Sequence, residues 1–598
     1  METIDQTAQQ SIRGGEFLLK NITAQDIFTP EDFSEDQRMI ATMVKDFIEQ
    51  RVAPNFDRLE KLDIELTTKL LKELGDLGVL GIPFPDIYGG SQMDFVTNIL
   101  LSELMGAARS LALSFGAHTS IGMLPILYFG TEDQKQKYLP ALVAGDKFAA
   151  YCLTEPGSGS DALAAKSSAV LADDGTHYLL SGQKMWITNA GFADVFTVFA
   201  KVDGKHFTGF IVEKDWEGVS LGAEEDKLGI KGSSTRQVFF EQVKVPTENV
   251  LGEIGKGHKI AFNILNVGRI KLGSGAIGGS KVISNHAIRY ANERKQFGQA
   301  ISNFGAIQHK LAEQAIKIYV NESAVYRAAN DIGQLEHSLL ASGKSLGEAL
   351  LGGAEEYAIE CALMKVHSSE CLDFAADEGL QIFGGMGYSE EAPMAATYRD
   401  ARINRIFEGT NEINRMLSVD MILKRTMNGT LDLVNAAKAV QKELLSMPSF
   451  ESASTNFFAR EKGMLQNLKK AFLLLAGATA QALLQKLSTE QEILMHLSDM
   501  MGDIYLAESA ILRTEKMTLR TSTEATALQQ DMTRVFLEDA VERFSFAGKR
   551  VITAWATGEM KRNLLMGLRR FTKYDGSNTV AARRNIAQAL IDANEYCF

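Results

Sequence analysis

The apolar residues of this chain change their period twice, and that change restricts the architecture more than any single motif. Up to about residue 149 they recur at helical spacing, as in Met39, Ile40, Met43, Val44, Phe47 and Ile48 behind the capping box Ser34-x-x-Gln37. From about Tyr151 the texture becomes short β-rich runs, 195–199, 209–212 and 237–240, separated by glycine- and aspartate-containing turns. Such spacing predicts a small barrel or sandwich. After Gly252-Glu253-Ile254-Gly255-Lys256-Gly257 the helical period returns and runs to about Arg425, which predicts a helix bundle.

A further boundary is expected in the serine-rich stretch 446–455, followed by a second helical unit to Phe598 whose stripe includes Leu465, Leu468, Phe472, Leu475, Leu483 and Leu487. The fold class is therefore mainly α with a central β domain. Its expected divisions are a tail over 1–30, an N-terminal helical domain over 31–149, a β domain over 150–265, a C-terminal helix bundle over 266–430 and an appended helical domain over 431–598. A chain of 598 residues, 45% apolar, exceeds a single core, which stops growing at roughly 250–300 residues.

The net charge of -13 gives no general attraction to polyanions, so nucleic acid is not an expected partner. Cys152, Cys361, Cys371 and Cys597 are scattered without a C-x-x-C pair and read as reduced thiols. The opening METIDQTAQQSIRGGEF carries Glu2 and Asp5 and no apolar run, which predicts a cytoplasmic protein. Stretches such as 471–480 reach about half of the ~20 apolar residues that a spanning helix needs, so no transmembrane segment is expected. The nine histidines lack ligand spacing, no metal is inferred, and His118 and His309 read as polar packing.

Four stretches carry chemistry. Tyr151-Cys152-Leu153-Thr154-Glu155-Pro156-Gly157-Ser158-Gly159-Ser160-Asp161 offers backbone N–H and hydroxyl groups to a polar ring or phosphate, or is a tight turn. Gly157-x-Gly159-x-x-Ala162 matches a dinucleotide fingerprint, but Pro156 and the β-like runs that follow deny it the strand–turn–helix context. Trp186-Ile187-Thr188 puts an indole and a hydroxyl on one face of a strand, fit for stacking a flavin or for ordinary core packing. Gln381-Ile382-Phe383-Gly384-Gly385 is glycine-rich, and Arg405 to Arg415 sets Glu408 among Ile406, Phe407 and Gly409, where a carboxylate becomes basic.

With Arg294-Lys295-Gln296-Phe297-Gly298, these motifs resemble the acyl-CoA dehydrogenase family in order and spacing over about residues 31–430, and the further helical region resembles its very-long-chain branch. The resemblance implies FAD as cofactor and an N-terminal helical domain, a small β barrel, a C-terminal bundle and an appended helical domain. It implies FAD contacts at Tyr151, Leu153, Thr154, Gly159, Ser160, Trp186, Ile187 and Thr188. Arg294, Gln381, Phe383, Gly384 and Gly385 would reach a neighbouring subunit's FAD, Phe297 is a further FAD position, and Thr410 and Glu412 would contact the adenine dinucleotide portion of FAD. Glu408 matches the catalytic base. In the branched-chain and long-chain branches the base stands where this chain has Gly268, which has no side chain to titrate. Ser160, Asn266, Arg269, Phe407, Glu408 and Gly409 would contact the acyl-CoA, although Arg269 also reads as a bundle salt bridge.

The implied reaction turns a long-chain acyl-CoA into trans-2-enoyl-CoA in fatty-acid β-oxidation, with electrons passed to an electron-transferring flavoprotein by a homodimer. Gly116 and Ala117, in Leu113 to Ala117, predict a deep acyl cavity or close helix packing. The basic cluster Lys561, Arg562, Arg569, Arg570 and Lys573 reads as a solvated helix face or a peripheral membrane contact. Two rival readings are a flavin acyl-CoA oxidase and a catalytically silent assembly protein of the same fold.

Overall fold

The structure, a computed structural model, describes residues 12–444 and 458–598; the expected connection at 446–455 lies outside the described residues. The first helical unit holds α1 (Glu35–Phe47), α2 (Phe56–Leu59), α3 (Ile64–Asp76), α4 (Phe95–Met105), α5 (Ser110–Gly116), α6 (Leu124–Phe129) and α7 (Glu132–Val143). The predicted capping box starts α1: the Gln37 N–H donates to Ser34 Oγ (3.2 Å), and the Ser34 N–H donates to Gln37 Oε1 (3.0 Å). Between α5 and α6 the chain makes a π-helical turn, Ala117–Gly122.

The β unit comprises β1 (Ala149–Cys152), β2 (Ser168–Leu171), β3 (His177–Thr188), β4 (Val195–Val202), β5 (His206–Glu213), β6 (Val219–Glu224), β7 (Thr235–Pro246) and β8 (Val250–Leu251). Its order is β6-β7-β3-β2-β4-β5-β8, with β1 added in parallel on β4. β3 and β7 slip register between Lys184 and Ile187, and Trp186 sits in that irregularity with φ 61°. The bulge leaves the indole 51% exposed while Ile187 stays buried, so Trp186 is no core tryptophan.

The bundle is formed by α8 (Gly257–Glu293), the short hairpin β9 (Lys295–Gln296) and β10 (Gln299–Ala300), α9 (Gly305–Ala341), α10 (Leu346–Glu356), α11 (Ala358–Phe383), α12 (Pro393–Arg402) and α13 (Asn411–Met427). α14 (Leu433–Leu444) follows, then α15 (Ala459–Leu483), α16 (Gln491–Arg520), α17 (Ala527–Trp555), α18 (Gly558–Phe571) and α19 (Thr579–Ala593). Glycines let α8 run close to its neighbours; a Cβ on Gly278 would fall 1.8 Å from the Glu103 carbonyl oxygen of α4.

The appended helices join the bundle and the N-terminal segment through buried and partly buried ion pairs. Arg513 Nη1 donates to Glu322 Oε2 (2.7 Å), its Nη2 to Glu31 Oε1 (2.7 Å), and Arg327 Nη2 to Glu508 Oε2 (3.0 Å). The described part of the expected tail is threaded into this seam. Phe17, Leu18 and Ile27 are buried, and Lys516 Nζ donates to the Ile27 carbonyl (2.6 Å). Ser110–Phe129 and Ala459–Thr489 are long and apolar enough to cross a bilayer, which counting unbroken apolar runs had not found. The first is 78% buried in its apolar window and the second 44%, with Leu468 and Phe472 of α15 packed inward. On α18, Leu564, Leu568 and Phe571 face the core while Arg562 and Arg569 are exposed.

Candidate active site

The segment after α12 turns sharply. Glu408 adopts φ 57° and Gly409 φ 81°, and Thr410 then caps α13, its Oγ1 accepting from the Ile413 N–H (3.3 Å). A glutamate in the left-handed region is strained, and the neighbouring side chains hold it there. Arg269 Nε donates to the Glu408 carbonyl (3.2 Å), and Asn414 Nδ2 donates to the Gly409 carbonyl (2.8 Å). Lys365 Nζ donates to the Gly409 carbonyl (2.8 Å) and to Asn411 Oδ1 (2.7 Å). The Glu408 N–H donates to no acceptor among the described residues.

The carboxyl group lies against Gly268 of α8. Its Oε2 is buried and, among the described residues, has no hydrogen-bond partner. Burial pushes this carboxyl up to about 7, against the opposing pull of Arg269 and Lys365. Arg269 is itself buried and pulled down by desolvation, which Glu408 opposes. Asn266 accepts from Arg269 Nη1 (2.8 Å) and donates to the Ala354 carbonyl (3.4 Å), so its amide is spent on holding the arginine.

Glu408 and Phe407 line a cavity of about 270 Å³ together with Gly268, Leu272 and Gly275 of α8 and with Thr188 at the end of β3. Leu113, Gly116 and Ala117 line it as well. A Cβ on Gly116 would meet nothing within 4 Å, so this glycine leaves room and does not serve a close helix contact.

On the β side, Tyr151 and Leu153 are buried, Tyr151 edge-on to Phe199 with ring centroids 5.2 Å apart. The Met185 N–H donates to the Thr154 carbonyl (2.9 Å). Lys184 Nζ donates to Glu155 Oε1 (2.7 Å) in a buried pair, and Glu155 also accepts from the Lys166 and Ser167 N–H groups (2.6 and 3.0 Å). The loop carrying exposed Gly159 and Ser160 is thereby fixed to the strand carrying Trp186 and Thr188. Exposed indole, cavity-facing threonine and hydroxyl-bearing loop form a cradle suited to a planar ring with a polar edge.

Other predicted residues do not reach this cavity within the chain. Arg294, Phe297, Gln381, Gly384 and Gly385 are exposed, Phe297 by 92%. Phe383 stacks on Tyr290 (centroids 4.0 Å apart), which joins the ends of α8 and α11 into one surface. Glu412 is exposed on the first turn of α13.

Sequence reasoning missed Lys365, Asn411 and Asn414. The asparagines stood inside the motif that singled out Glu408, three residues apart at a helix start. Lys365 had only the signal of a lysine within the apolar run 361–366. From Asn411 the contacts continue outward: its Nδ2 donates to Glu370 Oε1 (3.1 Å), Arg415 Nη2 to Glu370 Oε2 (2.9 Å), and Arg415 Nε to Asp499 Oδ1 of α16 (2.7 Å).

A partly buried carboxyl group with one oxygen unpartnered among the described residues, at the wall of an apolar cavity and beside a cradle suited to a planar ring, is an arrangement capable of taking up a proton, and comparison with known proteins gives the chain a lineage. The chain matches the family models described as acyl-CoA dehydrogenase N-terminal domain over 34–146, middle domain over 150–243 and C-terminal domain over 255–423. A second C-terminal domain model matches over 467–570. It is 45% identical over 588 residues to a probable acyl-CoA dehydrogenase of Bacillus subtilis (strain 168), covering 98% of each chain. It is 36% identical over 517 residues to the mitochondrial very long-chain specific acyl-CoA dehydrogenase of Bos taurus, covering 82% of this chain and 75% of that one. A crystal structure of an acyl-CoA dehydrogenase complexed with FAD from Bacillus anthracis superposes with a TM-score of 0.96 at 46% identity, covering 98% of this chain and all of that one. This chain belongs to the acyl-CoA dehydrogenase family, oxidoreductases acting on CH–CH bonds.

Proposed function

We propose that the protein is an FAD-dependent dehydrogenase of long-chain acyl-CoA thioesters, acting in fatty-acid β-oxidation, with Glu408 as the base. The observation that carries this reading is the Glu408 carboxyl, whose Oε2 has no partner among the described residues, at the wall of the cavity lined by Gly116 and Leu272. FAD, when bound, supplies the acceptor for the hydride that leaves the β-carbon.

The α-proton of a thioester is weakly acidic, and a solvated carboxylate is a feeble base for it. Burial raises the basicity of Glu408, and an acyl chain filling the cavity displaces water from it. The unspent Glu408 N–H is available to the thioester carbonyl as negative charge develops there. Arg269, Asn414 and Lys365 keep the strained loop in place, so N–H and carboxyl are presented together.

Leu153, Thr154, Gly159, Ser160, Trp186, Ile187, Thr188, Thr410 and Glu412 are assigned to the FAD of the same chain, with Tyr151 packed behind them. Arg294, Phe297, Gln381, Gly384 and Gly385 are assigned to the FAD of a second copy because they are exposed away from the cavity, and buried Phe383, stacked on Tyr290, is assigned with them as the support of that surface. A homodimer follows, and an electron-transferring flavoprotein is the proposed oxidant in a cytoplasmic setting. Phe407 and Gly409 would flank the substrate, Ser160 would meet its CoA arm, and Asn266 would act through Arg269.

Long chains are favoured because Gly116 leaves open space and each buried methylene contributes about 0.8 kcal/mol. The test is an anaerobic titration of the holoprotein with a series of saturated acyl-CoA esters. Flavin bleaching should strengthen with chain length through hexadecanoyl-CoA, and an optimum at butyryl-CoA would defeat the long-chain assignment. Rapid peroxide formation in air would favour the oxidase instead, and no bleaching by any ester would favour the silent assembly protein.

A further inference from the structure

Apart from Glu408, four ionisable side chains line the same cavity, Arg109, Lys271, His286 and Asp400, and of these Lys271 alone is buried. Lys271 lies on α8 one turn beyond Gly268, lines the cavity and is only 6% exposed. Among the described residues its Nζ has no hydrogen-bond partner. Arg269 and Lys365, the other buried cations nearby, are both engaged in hydrogen bonds.

Two serines line the same cavity. Ser120, on the π-helical turn packed against α8, also has a buried and unpartnered hydroxyl. Ser102 of α4 lines the cavity with its hydroxyl donating to the Asn98 carbonyl (3.0 Å). A buried donor with no acceptor is unfavourable, and a purely methylene chain would leave both Lys271 and Ser120 in that state. Burial also pushes the Lys271 amine down to about 7.

We propose that Lys271, supported by Ser120, forms a subsite for an oxygen carried on the acyl chain, so that the cavity accepts hydroxy-, oxo- or ω-carboxy-acyl-CoA thioesters beside plain ones. The proposal rests on the acyl-CoA reading of the site. A donor pair recognises an acceptor oxygen; a carboxylate engages a charged amine more strongly than a carbonyl or hydroxyl does.

The test uses the Glu408→Gln holoprotein, which is expected to bind without turnover, and follows the perturbation of flavin absorbance. Hexadecanoyl-CoA is compared with chains of equal length carrying one oxo or hydroxyl group at successive positions, or an ω-carboxylate. At one oxygen position binding should match or exceed that of the plain chain. Lys271→Met should weaken it there by about tenfold or more while leaving hexadecanoyl-CoA as tight or tighter. Ser120→Ala should weaken the same ligand by a smaller factor.

Uniformly poor binding of every oxygenated chain would overturn the subsite, as would an equal loss for plain and oxygenated chains in Lys271→Met. FAD content and melting temperature of the variants identify a folding defect. If the plain chain itself perturbs nothing, the acyl-CoA reading fails first, which separates the two outcomes.

Discussion

A Cβ built on Gly268 would stand 3.0 Å from Oε2 and 3.2 Å from Cδ of Glu408. The two positions compete for one volume, so a base can be carried by the loop or by the helix, and here the helix yields. Gly268→Ala should therefore push the carboxyl off its position and slow flavin reduction by about tenfold to a hundredfold, with FAD content unchanged. Anaerobic rapid mixing with hexadecanoyl-CoA measures it, and a rate equal to wild type would show that the contact is slack.

The pH dependence follows from the same burial. Glu408 is lifted from the ordinary 4.5 to about 7, so kcat/KM for reduction should rise with pH and level off above about 7. Lys365, pushed down to about 7 by desolvation, titrates in the same range. Comparison with Glu408→Gln isolates the carboxyl. Between 4.5 and about 7 the folded chain keeps a proton that the unfolded chain has lost, so this group's contribution is fully present below 4.5 and is lost as pH rises through about 7. The melting temperature of Glu408→Gln relative to wild type should accordingly increase from about pH 5 to about pH 8.

Gly116 has open space where a side chain would go. Gly116→Phe should fill the cavity, cutting kcat/KM for hexadecanoyl-CoA well below wild type while sparing hexanoyl-CoA. A parallel loss for both esters would mean that the acyl chain runs elsewhere.

Asp499 belongs to the appended helices yet is linked through Arg415, Glu370 and Asn411 to Lys365, which holds the Gly409 carbonyl. Asp499→Asn should lower kcat by about twofold to thirtyfold, with KM less affected and FAD retained. Steady-state kinetics on the purified variant decide it, and an unchanged kcat would confine the contact to structural docking.

The order of helical, β and helical regions was legible because hydrophobic period reports local geometry directly. The capping box at Ser34 and Gln37 is a purely local device and recurs in the structure atom for atom. The desolvation expected of the Glu408 carboxyl is present, but Ile406 is 47% exposed and the carboxyl rests instead against Gly268 of α8, a contact between residues far apart in the chain. The bulge that exposes Trp186 depends on pairing with β7, and the seam that captures Phe17 and Ile27 depends on helices hundreds of residues away. Lys365 and Lys271 look alike in sequence, each a lysine on a buried helix. One is satisfied by a carbonyl contributed from position 409 and the other has no partner among the described residues, and only the tertiary arrangement distinguishes them.

The most direct test of the central claim is anaerobic mixing of hexadecanoyl-CoA with wild-type and Glu408→Gln holoprotein, followed at the flavin absorbance maximum. The wild type should bleach promptly, and the variant should bind the ligand with almost no bleaching. Reduction of the variant at a rate near that of wild type would contradict the claim.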